Sequence, residues 1–193
     1  MKATAELFDF TPDGEKLISR IAQVCYQSPK PVPVKKLVEA GHLSVLEHAK
    51  ATIHIKCSIQ ALLQLTRHRH FSPTVQSSRG SKLVEHYETG IPSIDDILVR
   101  LMEDYHGMII EAKVSKEDIA YILPKGAVYE LFITGNLRAW YEYLPKRMCN
   151  RAQKEHREIA LQIKEMLATV YPDIFEGVTA PCDHCKEEGC SFS

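Results

Sequence analysis

The segment Arg67-His68-Arg69-His70-Phe71-Ser72-Pro73-Thr74-Val75-Gln76-Ser77-Ser78-Arg79-Gly80 gathers guanidinium forks, imidazoles and hydroxyls around turn-forming residues. This is a donor set for phosphate oxygens: each charge-assisted hydrogen bond to such an anion contributes about 1.5–3 kcal/mol, and the planar guanidinium matches the edge of the anion. From His48 to Val84 there is no Asp or Glu, whereas Lys50, Lys56, Arg67, Arg69, Arg79 and Lys82 all fall there. The whole chain carries 24 Lys and Arg against 25 Asp and Glu, a net charge of −1, so this positive potential is local. A phosphorylated ligand held at one place fits that distribution better than a general polyanion or a membrane surface. A solvated basic loop is the plainer reading of the same charges.

The elements that must position the segment are mixed. Ala51, Ile53, Ile55 and Cys57 alternate with Thr52, His54 and Lys56, the period of a half-buried strand, and Ser58 caps an apolar helix running to about Thr66. A strand and a helix thus deliver the chain to Arg67. Helical spacing also marks Gly14 to Cys25, Val34 to Ala40 (stopped by Gly41) and a long amphipathic stretch opened by Ser93-Ile94-Asp95-Asp96. Ser115 opens a shorter helix ended by Pro124. Ala127 to Thr134 reads as a strand, Asn136 as the cap of a following helix, and Ala152 to Val170 as a long helix before Pro172. The order predicts an α+β fold, an antiparallel sheet packed with long helices, rather than a doubly wound one.

At 193 residues with 45% hydrophobic content, the chain has the apolar material for one packed core and is too short for two full domains. The expectation is a single domain over residues 1–180 and a cysteine-containing tail over 181–193. Glu6 stands where a signal peptide would begin its apolar run, and no uncharged stretch reaches spanning length, so the expected location is cytoplasmic. Cys25, Cys57 and Cys149 are scattered while Cys182, Cys185 and Cys190 cluster, which is not a disulfide framework. The tail's C-x-x-C spacing could hold zinc, but a second such pair is missing, and the reading adopted is no metal.

The spacing of the basic segment, R-H-R-x-x-S-x-x-x-x-S-x-R, resembles the signature of the flavin-dependent thymidylate synthase family. His42-Leu43-Ser44-Val45-Leu46-Glu47-His48 is similar to that family's H-x-[ST]-x-x-E-H segment, and Gln64 stands where the family has a glutamine. Leu123-Pro124 with Asn136-Leu137-Arg138 resembles its L-P … N-x-R stretch, and Arg147 through Glu155 its R-x-x-x-x-A-Q-x-E stretch. The resemblance implies a homotetramer with FAD at subunit junctions. It implies reductive methylation of dUMP to dTMP, with methylenetetrahydrofolate as one-carbon donor and NADPH as reductant, and no nucleic acid as partner. It places Arg67, His68, Arg69, His42, Ser44, Asn136 and Arg138 against the flavin. Ser77, Ser78 and Arg79 fall at the dUMP phosphate, with Gln64, Gln76 and Arg67 near the nucleotide. Arg147 falls at the uracil ring, where a permanent cation stabilises negative charge on N3 and the carbonyl oxygens and so raises electron density at C5.

The sequence also departs from the pattern. Val75 stands where many members carry an acid, with Gln76 as a partial substitute; Gly80 replaces an aromatic, Ala120 an arginine and Arg151 a histidine of some members. These departures leave open altered one-carbon chemistry such as hydroxymethylation, or an inactive homologue. A rival of another class is a nucleic-acid-binding module using residues 67–82, which predicts salt-steep binding and no flavin; a single aromatic, Phe71, and the lack of basic excess count against it. His48 is expected to be a satisfied structural residue, His54 solvated, Trp140 with Tyr141 and Tyr143 core, and Glu47 the partner of a basic residue.

Overall fold

The computed structural model describes residues 1–111, 114–185 and 190. In chain order the elements are β1 (Thr4–Phe10), α1 (Gly14–Tyr26), α2 (Val34–Glu39), a 3-10 turn (Leu43–His48), β2 (Lys50–Ser58), α3 (Ile59–Leu65), β3 (Ser72–Val75) and α4 (Pro92–Glu111). There follow α5 (Lys116–Ile119), a 3-10 turn (Ala120–Ile122), β4 (Val128–Asn136), α6 (Leu137–Met148), α7 (Lys154–Val170), α8 (Pro172–Phe175) and a last 3-10 turn (Pro181–His184). The four strands form one antiparallel sheet in the order β1-β2-β4-β3.

β2 and β4 lie at the centre, paired from Lys50 opposite Asn136 to Ser58 opposite Val128. The alternation of β2 turns Ala51, Ile53, Ile55 and Cys57 to one face, where they join Leu131 and Ile133 of β4 and meet Leu65, Trp140, Ile159, Ile163 and Leu167 from the helices. Burying each large aliphatic side chain there contributes about 1.5–3 kcal/mol. The other face carries Thr52, whose hydroxyl meets that of Thr134 at 2.9 Å, and Lys56, paired with Glu130 at 2.8 Å. His54, expected to be solvated, is half-buried there, its ring stacked on Phe132 at 4.7 Å. His48, expected to be an internally satisfied residue, is exposed, because the 3-10 turn before β2 buries Val45 and Leu46 instead.

Two strands are absent from the sequence reading. β1 forms an edge and is bulged between Leu7 and Asp9, which breaks its alternation and leaves Phe8 exposed. β3, the other edge, falls inside the basic segment; Pro73 sits in it opposite Ile133, and all four of its residues are exposed. Capping follows the sequence closely: Ser58, Ser115 and Asn136 each accept a backbone N–H, from Ala61, Asp118 and Ala139. The last long helix starts at Lys154, two residues later than its apolar period suggests, with Gln153 at its N-cap position. A smaller apolar cluster, Leu83, Met102, Tyr105, Ile119 and Ala127, lies beneath α4.

Candidate active site

β4 ends at Asn136, whose Oδ1 accepts the Ala139 N–H at 2.8 Å and so starts α6. The cap fixes Arg138 in the first turn of that helix. Its Nε donates to Glu142 Oε1 at 2.8 Å, one turn along α6, and its Nη1 to Glu47 Oε1 at 2.7 Å, from the 3-10 turn before β2. Glu47 is therefore the partner of a base, as its position suggested. With Asn136, Ala139 and His70, these three charged residues line a cleft of about 300 Å³. Ser44 lies three residues before Glu47, hence on the same side of the 3-10 turn, and both Ser44 and His42 are exposed.

The residues before β3 reach this cleft by way of an aromatic anchor. After α3 the backbone turns twice, Arg67 N–H to Gln64 O and His68 N–H to Leu65 O, both at 3.3 Å. Phe71 then buries its ring 4.1 Å from Trp140 and 5.1 Å from Tyr143. That seat exists because residue 135 is glycine: a Cβ there would lie 2.5 Å from Phe71 Cδ1. His68 leans on Phe71 at 4.4 Å, on the Tyr143 ring edge at 5.3 Å and on His70 at 5.8 Å. Burial pushes the His68 pKa below its ordinary value, and the positive charges of His70, Lys146 and Arg147 add to the effect. Its Nε2 is buried without a hydrogen-bond partner among the described residues. Arg67 and Arg69 alternate outward, exposed, with no ion pair among the described residues.

Arg147 lies in the last turn of α6, half-buried, and makes no ion pair or hydrogen bond among the described residues. One turn earlier the buried Tyr143 hydroxyl meets His156 Nε2 at 2.6 Å. Gln64, on α3, donates its amide to Gln153 Oε1 at 3.1 Å. The remaining set lies elsewhere. Ser77, Ser78 and Arg79 follow β3 toward the Val128 end of β4, in a turn closed by N–H groups of Gly80 and Ser81 on Ser77 O. The Ser77 hydroxyl makes no hydrogen bond among the described residues, and exposed Arg79 reaches only Glu117, at 3.7 Å. Gln76 is held on both sides by β4, its N–H on Glu130 O at 2.9 Å and its Oε1 accepting the Glu130 N–H at 3.1 Å.

One chain therefore brings His42, Ser44, His68, Asn136 and Arg138 to one end of the sheet and leaves Ser77, Ser78 and Arg79 at the other. The sequence reading assigned no site role to His70, Glu142, Tyr143, Gln153, Glu155 and His156, although His70 lay in the basic segment and Tyr143, with Trp140, was expected in the core, where both are buried. Gln153 and Glu155 lay in a segment already singled out, and Glu142 lies one helical turn after Arg138; nothing in the sequence marked Tyr143 with His156 as a pair. At the tail, Cys182 Sγ accepts the Asn150 N–H at 3.3 Å, which docks it on the end of α6. Among the described residues no three His, Cys, Asp or Glu side chains stand together to hold a metal; the His184 side chain and residues 186–189 lie outside them.

A model of the family described as thymidylate synthase complementing protein matches residues 6–173. The chain belongs to this family. The thymidylate synthase complementing proteins it resembles include the flavin-dependent thymidylate synthase of Sulfurisphaera tokodaii, 31% identical over 92% of this chain and 78% of that one. Another is the flavin-dependent thymidylate synthase of Mycobacteroides abscessus, 29% identical over 84% of this chain and 78% of that one. Among solved structures, Helicobacter pylori thymidylate synthase X, crystallised with FAD and dUMP, superposes with a TM-score of 0.80 at 24% identity, over 90% of this chain and 97% of that one. The family fold is thus the α+β arrangement described above.

Proposed function

We propose that this chain is a flavin-dependent thymidylate synthase: with FAD bound, it converts dUMP to dTMP by reductive methylation, taking the one-carbon unit from methylenetetrahydrofolate and reducing equivalents from NADPH. The observation that carries this reading is the convergence of His70, Asn136 and Arg138, with His68 against His70, on one cleft of a chain that belongs to this family. The residues fit a flavin dinucleotide on their own chemistry. Arg67 and Arg69 are exposed cations without ion pairs among the described residues, suited to a pyrophosphate, and the buried Nε2 of His68 lacks a partner that a polar ligand edge would provide.

Reduced FAD supplies the hydride that completes the methyl group. The protein's part is to bind and polarise. Asn136 spends its carbonyl oxygen on the helix cap and has its NH2 left for the flavin, beside Arg138, which two carboxylates hold in place, and beside His42 and Ser44. Ser77, Ser78 and Arg79 hold the dUMP phosphate; Gln64, Arg67 and the NH2 of Gln76 contact the nucleotide. Arg147 faces the uracil and, with no carboxylate paired to it among the described residues, stabilises the electron-rich ring as C5 attacks the one-carbon unit.

The phosphate-binding set and the flavin cleft lie at opposite ends of β4, whose nine residues span roughly 25 Å at the usual rise per residue. This supports a homotetramer in which neighbouring chains complete each site. Ile94, Ile97, Leu101 and Met108, spaced along α4 and exposed, offer an apolar row for such contacts. The catalytic domain is assigned to residues 1–180, with 181–193 as an appended tail, and the enzyme to the cytoplasm; no described helix is long and apolar enough to cross a membrane.

The test is the visible spectrum of the purified protein with FAD, followed by assay of the nucleotide product by mass spectrometry. Bound flavin and dTMP are expected; a hydroxymethylated nucleotide would instead point to the altered chemistry that Val75, Gly80 and Ala120 leave open. Arg147→Ala should abolish turnover and keep its flavin, whereas Arg67→Ala should lose flavin. Undiminished dTMP formation by Arg147→Ala would remove the role assigned to it.

A further inference from the structure

Four side chains link the start of α3 to the candidate site. Glu155 is buried, 2% exposed, and its Oε1 accepts the Ser58 N–H at 2.7 Å. Its Oε2 accepts the Ser58 hydroxyl at 2.5 Å; because the oxygen of that hydroxyl itself accepts the Ala61 N–H at 3.2 Å, its proton is directed to the carboxylate. Gln153 places its Nε2 3.5 Å from Glu155 Oε2, and its Oε1 accepts from Gln64 Nε2 at 3.1 Å. The direction of the chain is fixed at its buried end. A carboxylate has no donor, so the Gln153 amide turns its NH2 toward Glu155 and its carbonyl toward Gln64. Gln64 must then give its own NH2 to Gln153. Reversing either amide would set two oxygens against each other, a repulsive contact in place of a hydrogen bond.

Resting on the reading of Gln64 as a nucleotide contact, we propose that Gln153 and Glu155 are positioning residues that lock the Gln64 amide with its carbonyl oxygen toward the nucleotide. The contact thereby selects a hydrogen-bond donor on the pyrimidine nucleotide, the ring N3–H or a sugar hydroxyl. Gln64 alone could present either end of its amide; the relay removes that freedom and discriminates against a ligand that offers an acceptor at this place.

The test is calorimetric titration of dUMP into the FAD-loaded protein. Gln64→Ala and Gln153→Ala should each weaken dUMP about tenfold, the size of one oriented hydrogen bond. The double variant should be no weaker than Gln64→Ala, and flavin content and melting temperature should hold. Glu155→Gln, which permits the reversed chain, should weaken dUMP by a similar factor. On the ligand side, either N3-methyl-dUMP or 2′,3′-dideoxy-dUMP should bind the parent about tenfold less well than dUMP, and that difference should vanish in Gln64→Ala. This identifies the donor even where a variant at Glu155 fails to fold. Additive losses, or a Gln153→Ala protein within twofold of the parent, overturn the relay while leaving Gln64 in contact. A Gln64→Ala protein within twofold of the parent overturns the contact itself and the proposal with it. Parental affinity for both analogues overturns the acceptor assignment.

Discussion

His156 is fully buried with Tyr143 on one ring nitrogen, while its Nδ1 has no hydrogen-bond partner among the described residues. Burial first, and then the charge of Arg147, lower its pKa from 6.5 to about 4. Below pH 6.5 the unfolded chain takes up a proton that the folded chain refuses until about pH 4. Stability contributed above pH 6.5 is therefore lost as pH falls through that window, by about 1.4 kcal/mol per pH unit. Burial lowers His68 as well, and it acts in the same sense; burial raises Glu155, which acts in the opposite one. The urea midpoint of the parent should fall more steeply than that of His156→Gln between pH 6.5 and 4, and parallel profiles would exclude this account. The basic signature announced the residues that face a ligand, because their types are those of anion binding. The buried Tyr143 and His156 announce nothing, since an aromatic and an imidazole at helical spacing also describe an ordinary core.

At the scale of elements, β4 is the piece on which the cleft depends. Gly135 lets Phe71 lie against the strand, and Phe71 in turn supports His68. Gly135→Ala puts a methyl group where the ring and the Trp140 Nε1 already sit, and displacing them costs about 1–3 kcal/mol. The melting temperature should fall and FAD should dissociate more readily; a variant that melts lower but holds flavin as the parent does would separate the anchor from the cleft. The central strands were legible because β2 buries one face and exposes the other, so Ala51, Ile53, Ile55 and Cys57 print their period directly. β1 was not, since its bulge spoils the alternation at Phe8, and β3 was not, since Ser72 to Val75 are all exposed and owe their extended form to pairing with β4. The caps at Ser58, Ser115 and Asn136 were legible because a side-chain oxygen before a helix is a local signal that no long-range contact has to create.

At the scale of the whole molecule, the separation of Ser77, Ser78 and Arg79 from the Arg138 cleft makes a prediction about mixing. Arg79→Ala and Arg138→Ala proteins should each be inactive. Mixed and allowed to exchange subunits, they should recover dTMP formation, because some junctions then unite two intact halves. Exchange demonstrated by native mass spectrometry with no recovered activity would place both halves of a site within one chain. Family membership and fold class could be read from ordered motifs, while the cleft itself could not. Its walls come from residues 47, 70, 136, 138, 139 and 142, and only the antiparallel pairing of β2 with β4 brings the first of these to the last.

The two outer strands bear on how such a protein behaves when crowded. A four-stranded sheet with open edges invites further strands to add without limit, which is the route to fibres. β3 is only four residues long and carries Pro73, which has no N–H to offer, while the bulge between Leu7 and Asp9 disturbs the hydrogen-bonding line of β1. Growth by sheet extension is disfavoured on both sides, which leaves the helix and sheet faces, rather than the strand edges, as the surfaces open to a neighbour.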